Sequence, residues 1–252
     1  MALYIDVGNT ALKWRWRHGA DVRQGSGSHQ RDWVAMAQAL AAEMAVAPGQ
    51  IWVASVAGRE ADADLAVALQ SAFAVVPTFY YSRSHHLGIS NRYAQAERLG
   101  VDRWLAMLEG WHQVGANIVV DCGSALTLDA VDGAGAHLGG YIVPGLSMLE
   151  RSLLSSTGSV RFESPMQWHS LEPGGSTVDC VHNGVIRMTV AFVTDAVVAL
   201  QEAVQDTCTV FLTGGDAERV GRWLGFPVEV APDLVLDGLE RVARAATQGE
   251  TG

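Results

Sequence analysis

The run LYIDVGNTALKWRW (3–16) climbs through apolar residues to an aspartate and breaks at a glycine, and IVVDCGSALTLDAV (118–131) does the same. A carboxylate at the end of a buried strand loses hydration. Only a cation, a bound metal or a dense set of hydrogen-bond donors offsets that loss. The chain must therefore fold so that Asp6 and Asp121, 115 residues apart, each reach such a partner. Alternation sets the local form. After the Gly8-Asn9 turn, Thr10, Leu12, Trp14 and Trp16 fall on one face of a strand, with Ala11, Lys13, Arg15 and Arg17 on the other. A second turn at HGAD leads into VRQGSG, so the chain starts as a β-meander and not as strand, turn and helix.

Periodicity and turn residues extend this reading. Helices are expected over 31–46, 60–73 and 102–114, and strands over 51–56 and 75–81. The second half restarts the program with a strand at 117–121 and two more in SALTLDAVD and AHLGGYIV. A helix across LSMLERSLL follows, then one long helix over 176–204. TVFLTGGDAERV reads as strand, Gly-Gly turn and helix, and the last helix covers 234–247. The repeat points to an internal duplication, an α/β protein of two similar lobes, each a β-meander plus helices. The seam is expected near QVGA (113–116), giving lobes 1–115 and 116–252.

Composition narrows the function classes. The chain has 252 residues, 49% of them hydrophobic and 17% charged, as in a soluble, well-packed protein. A net charge of −10 disfavours nonspecific binding to nucleic acid. The start lacks the basic and apolar regions of a signal peptide, and no run of 18 apolar residues suggests a membrane span. Cys122, Cys180 and Cys208 lack metal-ligand spacing and read as reduced thiols, which leads to the expectation of a cytoplasmic protein. His85, His86 and His137 likewise lack ligand spacing and read as structural. Of the 17 basic residues only Lys13 is a lysine, and it stands next to the first turn. It is either a compact charge for a phosphate or an ordinary surface residue.

An Asp-x-Gly hairpin can hold Mg²⁺ through the acid and phosphate oxygens through its open amides, but it can also be an ordinary turn. A second copy favours the first reading, and FLTGGDA (211–217) adds backbone amides at a helix start. Two such hairpins facing one another would clamp a triphosphate. Asp102 opens a helix, where an acid also suits the helix dipole.

These strings resemble the type III pantothenate kinases of the acetate and sugar kinase, Hsp70 and actin superfamily. The matching pieces are DVGNTALKW, LGVDRW, DCGSALTLD, HLGGYIVPG, GGSTVDCVHNG and LTGGDA, in the family's order over nearly the whole chain. The resemblance implies two actin-like (ribonuclease H-like) lobes with the active site in the cleft between them. It implies ATP-dependent phosphorylation of the terminal hydroxyl of pantothenate, with Mg²⁺ and a monovalent cation, K⁺ or NH₄⁺. It also implies a homodimer in which the neighbouring subunit helps to close the substrate pocket.

Residue by residue, the resemblance makes Asp102 the general base and puts Arg103 near the substrate or the transferred phosphate. Asp6 (toward Mg²⁺), Gly8, Asn9, Thr10 and Lys13 form the first phosphate motif. Gly123 and Ser124 form the second, with Asp121 beside the monovalent cation, and Gly214 and Gly215 complete the ATP site. Tyr93, Gly100, Val101 and Thr177 are assigned to pantothenate, and Gly139-Gly140-Tyr141 to structure. The chain has Ser124 and Ser176 where the family commonly has Thr and Asn. Two other readings are another small-molecule kinase of the superfamily and a regulatory accessory factor for transcription. The lack of a helix-turn-helix weighs against direct DNA contact.

Overall fold

A computed structural model describes residues 1–44, 46–156 and 170–249. The chain divides into two compact units, residues 1–109 with 233–252 and residues 110–232. In the first, β1 (Ala2–Val7), β2 (Ala11–His18) and β3 (Asp21–Ser28) form the expected meander. β4 (Gln50–Ser55) and β5 (Thr78–Tyr80) join parallel to β1, giving the order β3-β2-β1-β4-β5. Leu3, Ile5, Val7, Leu12, Trp14 and Trp16 point to one face and pack against α1 (Trp33–Glu43) and α2 (Arg59–Phe73). Each large apolar side chain buried there contributes roughly 1.5–3 kcal/mol. α1 starts two residues later than the periodicity suggests because Asp32 caps it, accepting the Ala35 N–H at 3.0 Å, and it ends at Glu43. β5 shrinks to three residues behind Pro77.

The opposite face of this sheet carries Lys13, Arg15 and Arg17, in register with Asp6, Tyr4 and Ala2. Over the two arginines lies α7 (Leu234–Gln248). Arg15 reaches Asp233 at 3.3 Å, Asp237 at 2.5 Å and Glu240 at 3.3 Å, and Arg17 reaches Glu240 at 2.6 Å. Arg244 pairs with Glu240 as well. These ion pairs explain why α7 belongs with the first unit, whereas the sequence division ran the second lobe to residue 252. Burial works against the Arg15 charge, but the bond and charge of Asp237 outweigh it and raise the Arg15 pKa. Burial also raises the Asp237 carboxyl, and Arg15 only partly offsets this.

A two-stranded ribbon, β6 (His85–His86) and β7 (Ile89–Ser90), and a 3₁₀ turn at Ala96–Arg98 lead into α3 (Val101–Val114). The second unit repeats the first. β8 (Asn117–Cys122), β9 (Ala125–Val131) and β10 (His137–Pro144) make the meander, and β11 (Thr209–Thr213) and β12 (Glu229–Val230) pair in parallel. The order is β10-β9-β8-β11-β12. α4 (Leu146–Ser156), α5 (Thr177–Val204) and the short α6 (Ala217–Gly221) pack with it. α5 is the one helix, among the described residues, long and apolar enough to cross a membrane. Its apolar positions Val185, Ile186, Val193, Val197 and Leu200 are buried in this unit's core.

Candidate active site

The first hairpin turns on a 2.9 Å bond from the Gly8 N–H to the Ala11 carbonyl, with Asn9 and Thr10 exposed at the tip. Asp6 and Lys13 stand directly opposite each other on β1 and β2, both half-buried. Opposite charges at facing positions support one another, and the register puts the only lysine of the chain directly across from the strand-end carboxylate. It also continues the row of Arg15 and Arg17, whose charges α7 already meets. His29, 3% exposed, places Nε2 at 3.0 Å from the Gly8 carbonyl.

Asp102 is the second residue of α3, and its Oδ1 accepts the Arg103 N–H at 2.8 Å. A Cβ on Gly100 would lie 2.5 Å from that same oxygen, so glycine is what gives the carboxylate its place. The side chain of Arg103, 7% exposed, donates to the Tyr93 hydroxyl at 3.2 Å, with its guanidinium carbon 5.9 Å from the ring centre. Val101 is 4% exposed and packs inward. Asn91 holds the loop before α3. Its Oδ1 takes the Tyr93 N–H at 2.9 Å, and its Nδ2 donates to Arg83 and Ala96 carbonyls, both at 3.2 Å.

A buried, directional chain supports α3 from below. Indole N–H can only donate, so Trp104 gives its hydrogen to the Tyr80 oxygen at 3.0 Å. The Tyr80 hydroxyl in turn shares a hydrogen bond with Nδ1 of His86 at 2.8 Å. Burial, with Arg83 nearby, lowers the His86 pKa. His137 pairs with buried Asp129 at 3.0 Å. His86 and His137 are core groups, whereas His85, read from the sequence together with them as structural, is exposed.

In the second unit the hairpin closes by Gly123 N–H to the Ala125 carbonyl at 3.1 Å, and Gly145 N–H bonds the Ser124 carbonyl at 3.1 Å. β11 runs beside β8 with Thr213 in register with Asp121, which brings the Gly214-Gly215 turn onto the Asp121 hairpin. Gly214 has φ +87°, and a side chain there would run into the Asp121 carboxylate and the Cys122 backbone. The Asp216 N–H bonds the Cys122 carbonyl at 3.0 Å, and burial raises the Asp216 pKa. Burial, with Asp121 and Asp216 close by, pushes the Cys122 thiol far up, so it is no nucleophile. Thr177 lies elsewhere in this unit, lining a groove of about 450 Å³ with Leu149, Leu153, Val181 and Met188.

The donor chemistry fits the cations expected from the sequence. Asp6 and Asp121 offer hard carboxylate oxygens at strand ends. Mg²⁺ is commonly held by one or two carboxylates plus substrate phosphates. Among the described residues no cluster of three or more His, Cys, Asp or Glu forms a protein-only metal centre, and this mode needs none.

A sequence model of the family described as type III pantothenate kinase matches residues 2–199. The chain belongs to that family. A type III pantothenate kinase of Alcanivorax borkumensis is 51% identical over 243 residues, covering 96% of this chain and 98% of the relative. A crystal structure from Campylobacter jejuni, named as a Baf family transcriptional activator, aligns with TM-score 0.63 at 19% identity, over 98% of this chain and 99% of the other. Another from Sinorhizobium meliloti, named as a 2-dehydro-3-deoxygalactonokinase, aligns with TM-score 0.56 at 12% identity over 98% and 99%. At those identities the two structures bear on the fold alone, the duplicated actin-like α/β architecture. For a type III pantothenate kinase, the motif strings led to Asp6, Asp102 and Asp121. They gave no sign of His29 or Asn91, whose placement depends on contacts between distant segments, and Asp216 stood inside FLTGGDA without a role of its own.

Proposed function

We propose that this chain is a pantothenate kinase that moves the γ-phosphate of ATP to the terminal hydroxyl of pantothenate, giving 4′-phosphopantothenate in the first step of coenzyme A synthesis. The observation that carries this reading is the near full-length likeness to a type III pantothenate kinase at 51% identity. Asp102 takes the hydroxyl proton while that oxygen bonds to the γ-phosphorus and the bridging P–O bond breaks, releasing ADP. Phosphoryl transfer rests mainly on positioning and charge neutralisation, so one aligned carboxylate is sufficient as base. Arg103, steadied by Tyr93, faces the charge on the transferred group. The amides of Gly8, Asn9 and Thr10 with Lys13, and those of Gly123, Ser124, Gly214 and Gly215, bind phosphate oxygens.

Mg²⁺ at Asp6 and K⁺ or NH₄⁺ at Asp121 would supply the remaining positive charge. In this reading Tyr93, Gly100 and Val101 of the first unit are assigned to pantothenate, and Thr177 of the second unit is assigned to it separately. The exposed apolar side chains Tyr141, Ile142, Met148, Leu153 and Met188 of the second unit support a homodimer. Three free cysteines and the use of ATP support a cytoplasmic enzyme. A coupled ADP-release assay tests the substrate. Turnover should require pantothenate and fail with simple sugars or short-chain acids, and equal turnover with those compounds would overturn the reading.

A further inference from the structure

We propose that His29 is a positioning residue for ATP, fixing the peptide between Gly8 and Asn9 so that its amide faces the bound phosphate. The proposal rests on the reading of the first hairpin as a phosphate site. His29 lies 21 residues beyond Gly8, just after β3, and its ring is held on three sides. The Arg31 N–H donates to Nδ1 at 3.1 Å, so the ring hydrogen sits on Nε2. Nε2 then donates to the Gly8 carbonyl at 3.0 Å. Trp33, the first residue of α1, stacks on the ring at 4.6 Å between centroids and 27° between planes. Gln30 and Arg31, with φ of 43° and 61°, form the tight left-handed turn that presents Arg31 N–H to the ring.

The consequence follows from peptide geometry. No peptide bond among the described residues is cis. In a planar trans peptide the carbonyl of one residue and the N–H of the next point in opposite directions. Drawing the Gly8 carbonyl toward His29 therefore aims the Asn9 N–H away from His29. Gly8 has no side chain to restrict this plane, so without His29 the peptide keeps only the hairpin closure through the Gly8 N–H and loses the one bond that fixes its carbonyl. A prepaid orientation of a phosphate-binding amide lowers the cost of binding ATP. It leaves the proton transfer at Asp102 untouched.

Two substitutions separate this role from simple support of the turn. Gln can bring a donor to where Nε2 stands but loses the acceptor for Arg31, whereas Asn keeps an acceptor near Nδ1 and cannot reach Gly8. His29→Asn and His29→Ala should raise KM for ATP about three- to tenfold, the range for loss of one hydrogen bond. KM for pantothenate and kcat should change less than about twofold, and His29→Gln should bring KM for ATP back toward wild type. Lys13→Ala serves as the control for the hairpin itself. If Lys13→Ala raises KM for ATP while His29→Asn and His29→Ala leave it unchanged, the role of His29 is wrong and the hairpin reading stands. If Lys13→Ala has no effect either, the phosphate reading of the hairpin fails first. Rescue by Asn and not by Gln would reduce His29 to a turn-stabilising residue. Melting temperatures of all variants identify any that fail to fold, and for those the Gln and Asn pair remains the deciding comparison.

Discussion

At the scale of single residues, the arrangement around Asp102 makes an unusual demand on its neighbour. Gly100 has an ordinary backbone conformation, so alanine is tolerated there, and less freedom in the unfolded chain would even favour folding. Its methyl would nonetheless sit 2.5 Å from Oδ1 of Asp102 and displace the carboxylate. Gly100→Ala should therefore keep or slightly raise the melting temperature while kcat falls roughly tenfold to a hundredfold, the scale of a small misplacement of a catalytic group. Wild-type kcat in a folded Gly100→Ala variant would contradict the assigned place of Asp102. Asp102→Asn keeps the shape and removes the proposed proton acceptor. It should lose at least about a hundredfold in kcat with its melting temperature nearly unchanged. The string GVDRW led directly to these residues. The steric reason for Gly100 was not legible, because a letter string cannot show that a side chain two positions later folds back over the glycine.

At the scale of elements, alternation and turn residues were enough to place both meanders, since a strand with one buried face must keep its period of two. Helix ends were less legible. Asp32 stops α1 short of the expected start at residue 31, and the β6–β7 ribbon has too few residues to leave a pattern. The C-terminal helix was found at its right position, but its partner was not. Its acids Asp233, Asp237 and Glu240 meet Arg15 and Arg17 more than 200 residues earlier, a pairing that no local window contains. Glu240, 5% exposed, serves three arginines. Glu240→Ala leaves buried Arg15 short of compensation and should cost about 3 kcal/mol. A denaturant titration checks this, and a loss below about 1 kcal/mol would show that Asp233 and Asp237 suffice for α7.

At the scale of the whole molecule, the two sheets share one strand order, and each ends its first strand in an aspartate beside a glycine turn. That repetition supports the proposed phosphate hairpins over a chance turn, and it was visible as two strings 115 residues apart. Family membership then turns the fold into a reaction, because actin-like architecture alone hosts many activities. The regulatory reading draws nothing from the Campylobacter jejuni structure, which at 19% identity speaks only for the fold. The most direct measurement is mass-spectrometric detection of 4′-phosphopantothenate from pantothenate, ATP and Mg²⁺, run with and without K⁺. The account predicts stoichiometric product and ADP that depend on K⁺ or NH₄⁺. ATP left intact, with no phosphorylated pantothenate under either condition, would contradict it.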